Sequence, residues 1–138
     1  MKIQSIEADN FKLFATRFRE IQDIENAEMI LFNGPNGYGK TSVFDIIEFC
    51  LTGEIKRIRD YSDELAIAKN EKFEKKILIS DETKEAFVKL GLEDNGHKIE
   101  ICYSYNPTEK KKSGSKENNP HIFFDCFTRM IVCDGKEI

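Results

Sequence analysis

The sequence predicts an α/β domain in which mixed and antiparallel β-sheet packs on one helix placed directly after a glycine-rich loop. Three observations point there. An apolar run, "EMILFN", leads into "GPNGYGKTS", and "TSVFDIIEFCL" follows with the spacing of an amphipathic helix. Further on, "EAFVKLGLEDNGHKIEICYSY" alternates apolar and polar residues on either side of an Asp-Asn-Gly turn, as a β-hairpin does. Composition is the third: 138 residues, 40% of them hydrophobic, suffice for one real core.

Taken in order, "KIQSIEA" sets Ile3 and Ile6 loosely among polar neighbours and reads as an edge strand. "TRFREIQDI" sets Phe18, Glu20 and Gln22 against Arg17, Arg19 and Ile21, so the two segments predict an antiparallel pair. "AEMILFN" has the apolar continuity of a buried central strand. The helix should place Val43, Ile46, Ile47, Cys50 and Leu51 on one face with Phe44 beside it. Asp45 and Glu48 would then point to solvent or to the site, and Gly53 would stop the helix.

Residues 54–79 show no sustained period, which suits a loop and one helix opening near Ser62 or Asp63. In the hairpin, Phe87, Lys89 and Gly91 alternate with Val88, Leu90 and Leu92 before the turn, and Ile99 and Ile101 alternate after it. Residues 106–120, "NPTEKKKSGSKENNP", are polar, bounded by prolines and predicted to be a flexible Lys-rich loop. The tail "HIFFDCFTRMIVCDGKEI" reads as a helix followed by a strand. There is no repeat.

Charge and cysteine usage bound the function. The formal net charge is −4, from 21 Lys+Arg against 25 Asp+Glu, so no overall basic field advertises nucleic acid and any DNA contact must be local. Lys110, Lys111, Lys112 and Lys116 could touch a phosphate backbone, although Glu109 and Glu117 dilute the cluster and a solvated loop is the stronger reading. No apolar run has the length of a membrane span and the N-terminus mixes charges with apolar residues, which predicts a cytoplasmic protein with no membrane partner. Cys50, Cys102, Cys126 and Cys133 form no Cys-x-x-Cys pair, and His97 and His121 have no ligand spacing beside them. Zinc is not expected, the cysteines read as reduced core or boundary residues, and His97 reads as a turn residue.

The glycine-rich stretch carries the chemistry. Gly34, Gly39, Lys40 and Thr41 occupy the fixed places of Gly-x4-Gly-Lys-Ser/Thr, the Walker A or P-loop pattern. A phosphate chain carries several negative charges, and only backbone N–H groups can surround it closely, which glycines permit. The helix that begins near Lys40 aims its first N–H groups and the positive end of its dipole at the same anion. Lys40 would add a mobile charge at the outer phosphates, the Thr41 hydroxyl would ligate Mg2+, and the Ser42 hydroxyl is placed to reach an inner phosphate.

On "GPNGYGKTS", the opening "IEADNFKLFA" and the helix "FDIIEFCLTGEIKRIRD", the sequence resembles the N-terminal part of ABC-type ATPase heads of the SMC, SbcC and RecF/RecN group. The likeness covers roughly the first 105 residues, its P-loop portion being the specific one. It implies that 1–138 is a single partial domain, the N-terminal half of a P-loop NTPase head. In such proteins a coiled coil leads to a second lobe, and dimers trap two ATP molecules while acting on DNA in repair, chromosome organisation or anti-phage defence. Within the cytoplasm, association with the nucleoid is left open. By position, Asn36, Gly37, Gly39, Lys40, Thr41 and Ser42 would bind ATP, with Thr41 on Mg2+, and Lys12 would lie near the nucleotide.

The sequence departs from the family pattern at Tyr38, where Ser or Ala is usual, and it contains neither a Leu-Ser-Gly-Gly signature nor a strand ending in Asp-Glu. "MIVCDG" resembles such a strand up to Asp134, but Gly135 stands where the catalytic glutamate would be, so an ordinary strand is the preferred reading. The chain is therefore expected to bind ATP without turning it over alone, hydrolysis needing a second lobe and a dimer partner. Two other readings remain open. One is a small complete P-loop kinase using Asp134 or Asp45, which would require a parallel sheet; the other is a nucleotide-gated interaction module.

Overall fold

The computed structural model describes residues 1–12, 14, 24–61, 78–109, 124 and 126–138. Among them, five strands form one sheet in the order β1-β2-β3-β4-β5: β1 Lys2–Asp9, β2 Ala86–Asp94, β3 His97–Tyr105, β4 Thr128–Cys133 and β5 Lys136–Glu137. Every neighbouring pair is antiparallel. The expected mixed sheet is thus corrected for the described residues. The parallel topology that a small kinase would show is absent among them as well.

Local chemistry explains the ladder. Asn95 and Gly96 both have positive φ, 50° and 82°, which makes the two-residue turn whose twist suits a right-handed hairpin. Asp134 and Gly135 repeat it at 48° and 79° between β4 and β5. Asp134 therefore begins a hairpin turn: its Oδ1 accepts the Lys98 N–H at 2.8 Å and its Oδ2 lies 2.8 Å from His97 Nδ1. Asp134 thus sits in a β4-β5 turn and not among the residues lining the glycine-rich loop, and the Walker B reading of "MIVCDG" gives way to the ordinary strand. His97, expected in the turn, opens β3 instead. At the other edge the β1 register shifts between Ile3 and Ser5, and Gly91 stands opposite Ser5, whose hydroxyl a Cβ on Gly91 would strike.

The His97–Asp134 pair gives a pH prediction. Hydrogen bonding to Asp134, then its charge, raise the His97 pKa above the ordinary 6.5, while His97 and the Lys98 N–H lower that of Asp134 below 3.8. The histidine's contribution is complete below pH 6.5 and is lost as pH rises through its raised value; the aspartate's is present above 3.8 and is lost as pH falls through its lowered one. An NMR titration in chelator-treated buffer should give a His97 midpoint above 6.5 that falls toward 6.5 in Asp134→Asn. An unchanged midpoint in that variant would refute the pairing.

The helix α1, Lys40–Thr52, lies on the sheet and ends at Gly53, whose φ of 80° lets its N–H return to the Phe49 carbonyl at 2.8 Å. Its buried residues are Ser42, Val43, Asp45, Ile46, Phe49 and Cys50. Phe49 is the centre of an aromatic cluster, with ring centroids 4.5 Å from Tyr103, 5.2 Å from Phe127 and 6.1 Å from Phe11. Compared with the sequence expectation, the apolar face is rotated: Leu51 and Phe44 are exposed, whereas Asp45 is buried. Cys50 is the core thiol the composition suggested, and burial pushes its pKa up to about 12.

Two strand expectations change. β1 pairs with β2, whereas most of "TRFREIQDI", residues 16–23, lies outside the described residues and Ile24 opens a 3-10 turn, Ile24–Asn26. Residues 27–33 form no strand, because a strand needs a ladder and no described residue pairs with them. Met29 and Leu31 are accordingly 84% and 82% exposed, with Ile30 and Phe32 partly covered between them. The helix expected near Ser62 or Asp63 lies outside the described residues, although 56–61 are helical. Residues 110–120 of the Lys-rich loop and most of the segment expected to be helical before β4 also lie outside them. Among the described residues, no helix is long and apolar enough to cross a membrane.

Candidate functional site

The glycine-rich loop closes onto the start of α1 through two left-handed residues, Gly37 at φ 86° and Gly39 at φ 90°. Asn36, Gly37, Gly39, Lys40, Thr41 and Ser42 line a cleft of about 110 Å³ there. Gly39 is the N-cap and offers no side-chain cap, and the Val43 N–H, bonded to the Gly39 carbonyl at 3.1 Å, makes the first helical bond. The N–H groups of Lys40, Thr41 and Ser42 precede that bond. They have no carbonyl four residues back within the helix and lie at the positive end of its dipole.

Lys40 folds back over the loop, its Nζ donating to the Gly34 carbonyl and, at 2.9 Å, to the Pro35 carbonyl. Thr41 is exposed at the mouth and Ser42 is buried. No acidic side chain lines this cleft. The donor set is N–H groups, hydroxyls and one ammonium, which is the chemistry of an anion site and fits phosphate. Its volume is well below the roughly 300 Å³ at which small-molecule pockets usually begin. It therefore suits the phosphate end of a ligand alone.

Residues 10–12 and Phe14 approach the start of α1 from below the loop's own lining. Asn10, buried with φ 54°, donates through Nδ2 to the Asp81 carbonyl at 2.8 Å and accepts the Asp81 N–H at 2.8 Å through Oδ1, which pins the 81–85 loop. Phe11 is core, and its backbone bonds to that of Phe14 turn the chain. The Phe14 ring lies under Gly39, 2.9 Å from where a Cβ would be. Lys12 donates its N–H to the Leu78 carbonyl at 2.8 Å, and its ammonium is paired with Asp45.

Six of the seven residues selected from the sequence are thus together, and Lys12 is not among the residues lining the cleft. It reaches α1 one turn further on, because Asp45 follows Thr41 by one helical turn. Arg57 also donates to Asp45, from Nη2 at 2.5 Å and from Nε at 3.3 Å. A second cleft of about 410 Å³, lined by Thr41, Asp45, Glu48, Lys56, Arg57 and Asp60 among others, shares Thr41 with the first. Sequence reasoning missed Arg57, noted Phe14 only within the opening motif, and left Asp45 to solvent, to the site or to a kinase role. An acid inside an amphipathic helix was a usable signal for Asp45, whereas the motif gave Phe14 no role.

A family model described as an AAA domain matches residues 5–124, which include most of β1, the loop, α1 and the central hairpin. A search of curated proteins finds no significant match.

Proposed function

The chain belongs to the AAA domain family of ATP-binding P-loop ATPases, and on that premise we propose that it is the N-terminal segment of an SMC- or SbcC-like ATPase head that acts on DNA. The observation that carries the reading is the cradle made by left-handed Gly37 and Gly39 at the start of α1, with Lys40 over its mouth. In this reading the amides from Asn36 to Ser42 hold the triphosphate, and Lys40 leaves the Gly34 and Pro35 carbonyls for the outer phosphates. Thr41 ligates Mg2+, which when bound neutralises phosphate charge. Lys12 acts through Asp45, supporting the helix from which the cradle springs.

Hydrolysis in this proposal waits for a second lobe and a dimer partner. A cradle supplies only part of the electrostatics, and a positioned water and charge stabilisation on the other side must come from elsewhere. Three features support that dependence. The cleft suits phosphates but not a whole nucleotide. The segment that enters the loop is apolar, and no described strand pairs with it. Tyr38, on the loop itself, is exposed as a partner contact would be.

Calorimetric titration of the chain with ATP and Mg2+ should detect binding that weakens roughly 10- to 100-fold in Lys40→Ala, the usual range for losing a charge-assisted hydrogen bond. Equal affinity in the variant would sink the proposal. The unmodified chain should release no phosphate above background. Turnover that disappears in Lys40→Ala would show instead that the cradle needs no second lobe.

A further inference from the structure

A second cluster of chemically capable side chains lies where β3, β4 and β5 meet, and none of its members lines the cradle. His97 opens β3, Cys133 closes β4 and Asp134 starts the turn into β5. Cys133 is paired with Ile99 across the ladder, and His97 lies two residues before Ile99, so the imidazole and the thiol share one face of the sheet. The Asp134 carboxylate closes the third side. Its Oδ2 is 2.8 Å from His97 Nδ1, and one ligand atom from each of the three residues lies within 4.8 Å of the others.

We propose that His97, Cys133 and Asp134 form a binding site for a thiophilic divalent ion of the Zn2+ class, with solvent completing the coordination. The donor set selects the ion. Thiolate, imidazole and carboxylate together suit Zn2+ and its neighbours, whereas Ca2+ and Mg2+ take oxygen ligands alone. Bond lengths of about 2.0 to 2.3 Å at tetrahedral angles place ligand atoms roughly 3.3 to 3.7 Å apart, so the separations need to change by about 1.5 Å or less.

The scaffold restrains what must not move. The Asp134 N–H donates to the Lys98 carbonyl at 2.8 Å, and the Lys98 N–H donates to Asp134 Oδ1 at 2.8 Å, which fixes the aspartate beside the start of β3. Both His97 and Asp134 are at least half exposed, leaving an entry path and a place for water. On binding, the thiol proton of Cys133 goes to solvent as the metal–sulfur bond forms, and the metal takes the place of the proton between His97 and Asp134. The ion would then tie β3 to the β4-β5 turn independently of nucleotide.

The test is optical titration of the reduced, chelator-treated 138-residue chain with Co2+, a spectroscopic stand-in for Zn2+. One equivalent should produce a thiolate-to-cobalt charge-transfer band that Zn2+ bleaches. Cys133→Ser, a nearly isosteric change, should abolish the band while circular dichroism and melting temperature without metal stay unchanged. His97→Ala and Asp134→Asn should each weaken binding at least tenfold. Absence of a Zn2+-competed band, or its persistence in Cys133→Ser through another cysteine, would overturn the site.

Discussion

Replacing Asp45 with alanine should destabilise the chain by about 3 kcal/mol, the lower end of what removing one partner of a buried ion pair costs. The carboxylate is buried on α1 and accepts from Lys12 on one side and Arg57 on the other. These two cations are not equivalent. Arg57 is 54% exposed in its side chain and can turn to water when the carboxylate is gone, but Lys12 is only 14% exposed and would keep an ammonium without a counter-charge. Arg57→Ala should accordingly cost about 1 kcal/mol or less, as half-exposed pairs do.

The double variant Asp45→Ala/Lys12→Met should recover at least half of the loss, because it removes the stranded charge and keeps the apolar stem. Urea denaturation of the unmodified chain, Asp45→Ala, Lys12→Met and the double variant closes the cycle. A loss below 1 kcal/mol in Asp45→Ala, or no recovery in the double variant, would mean that Lys12 finds another partner and that the pair does not hold the N-terminal segment to the helix.

The same ion pair explains where the sequence misled. On a helix, successive residues advance by about 100°, and the face from Val43 to Leu51 looked centred near Val43 because Asp45 was read as polar and outward. In the structure the buried arc turns by roughly a quarter of the circumference to take in Asp45 and Phe49. The residue that makes this possible, Lys12, is 33 positions away in sequence, beyond the reach of any local pattern. Periodicity reads polarity, and a charge neutralised by a distant partner is invisible to it.

What is determined locally was legible. The Asn-Gly turn dictates its hairpin, and spacing alone marks the cradle, because both depend on glycine at particular neighbouring positions. The Asp-Gly turn at 134–135 carried the same signal, but the likeness of "MIVCDG" to a catalytic strand competed with it. "AEMILFN" failed for the opposite reason, since apolar continuity states only that a segment wants cover. Among the described residues no strand pairs with it, which leaves Met29 and Leu31 exposed.

Gly39→Ala should impair both stability and ATP binding, by about 2 to 5 kcal/mol of stability and by more than tenfold in affinity. Two separable effects add. At φ 90° an L side chain is strained, which costs about 1 to 2 kcal/mol, and the new Cβ would sit 2.9 Å from the Phe14 ring, an overpacking of about 1 to 3 kcal/mol. The ring sits on a segment held by Phe11 and Lys12, so it cannot retreat without disturbing the core or the Asp45 pair. The double variant Gly39→Ala/Phe14→Leu distinguishes the two effects. Relieving the collision should restore part of the stability, whereas the strained dihedral persists and still turns the cradle's amides from their positions. ATP affinity should therefore stay more than tenfold below that of Phe14→Leu alone. If affinity returned fully with stability, the glycine would be needed only for packing, and the left-handed conformation at 39 would not be what shapes the anion site.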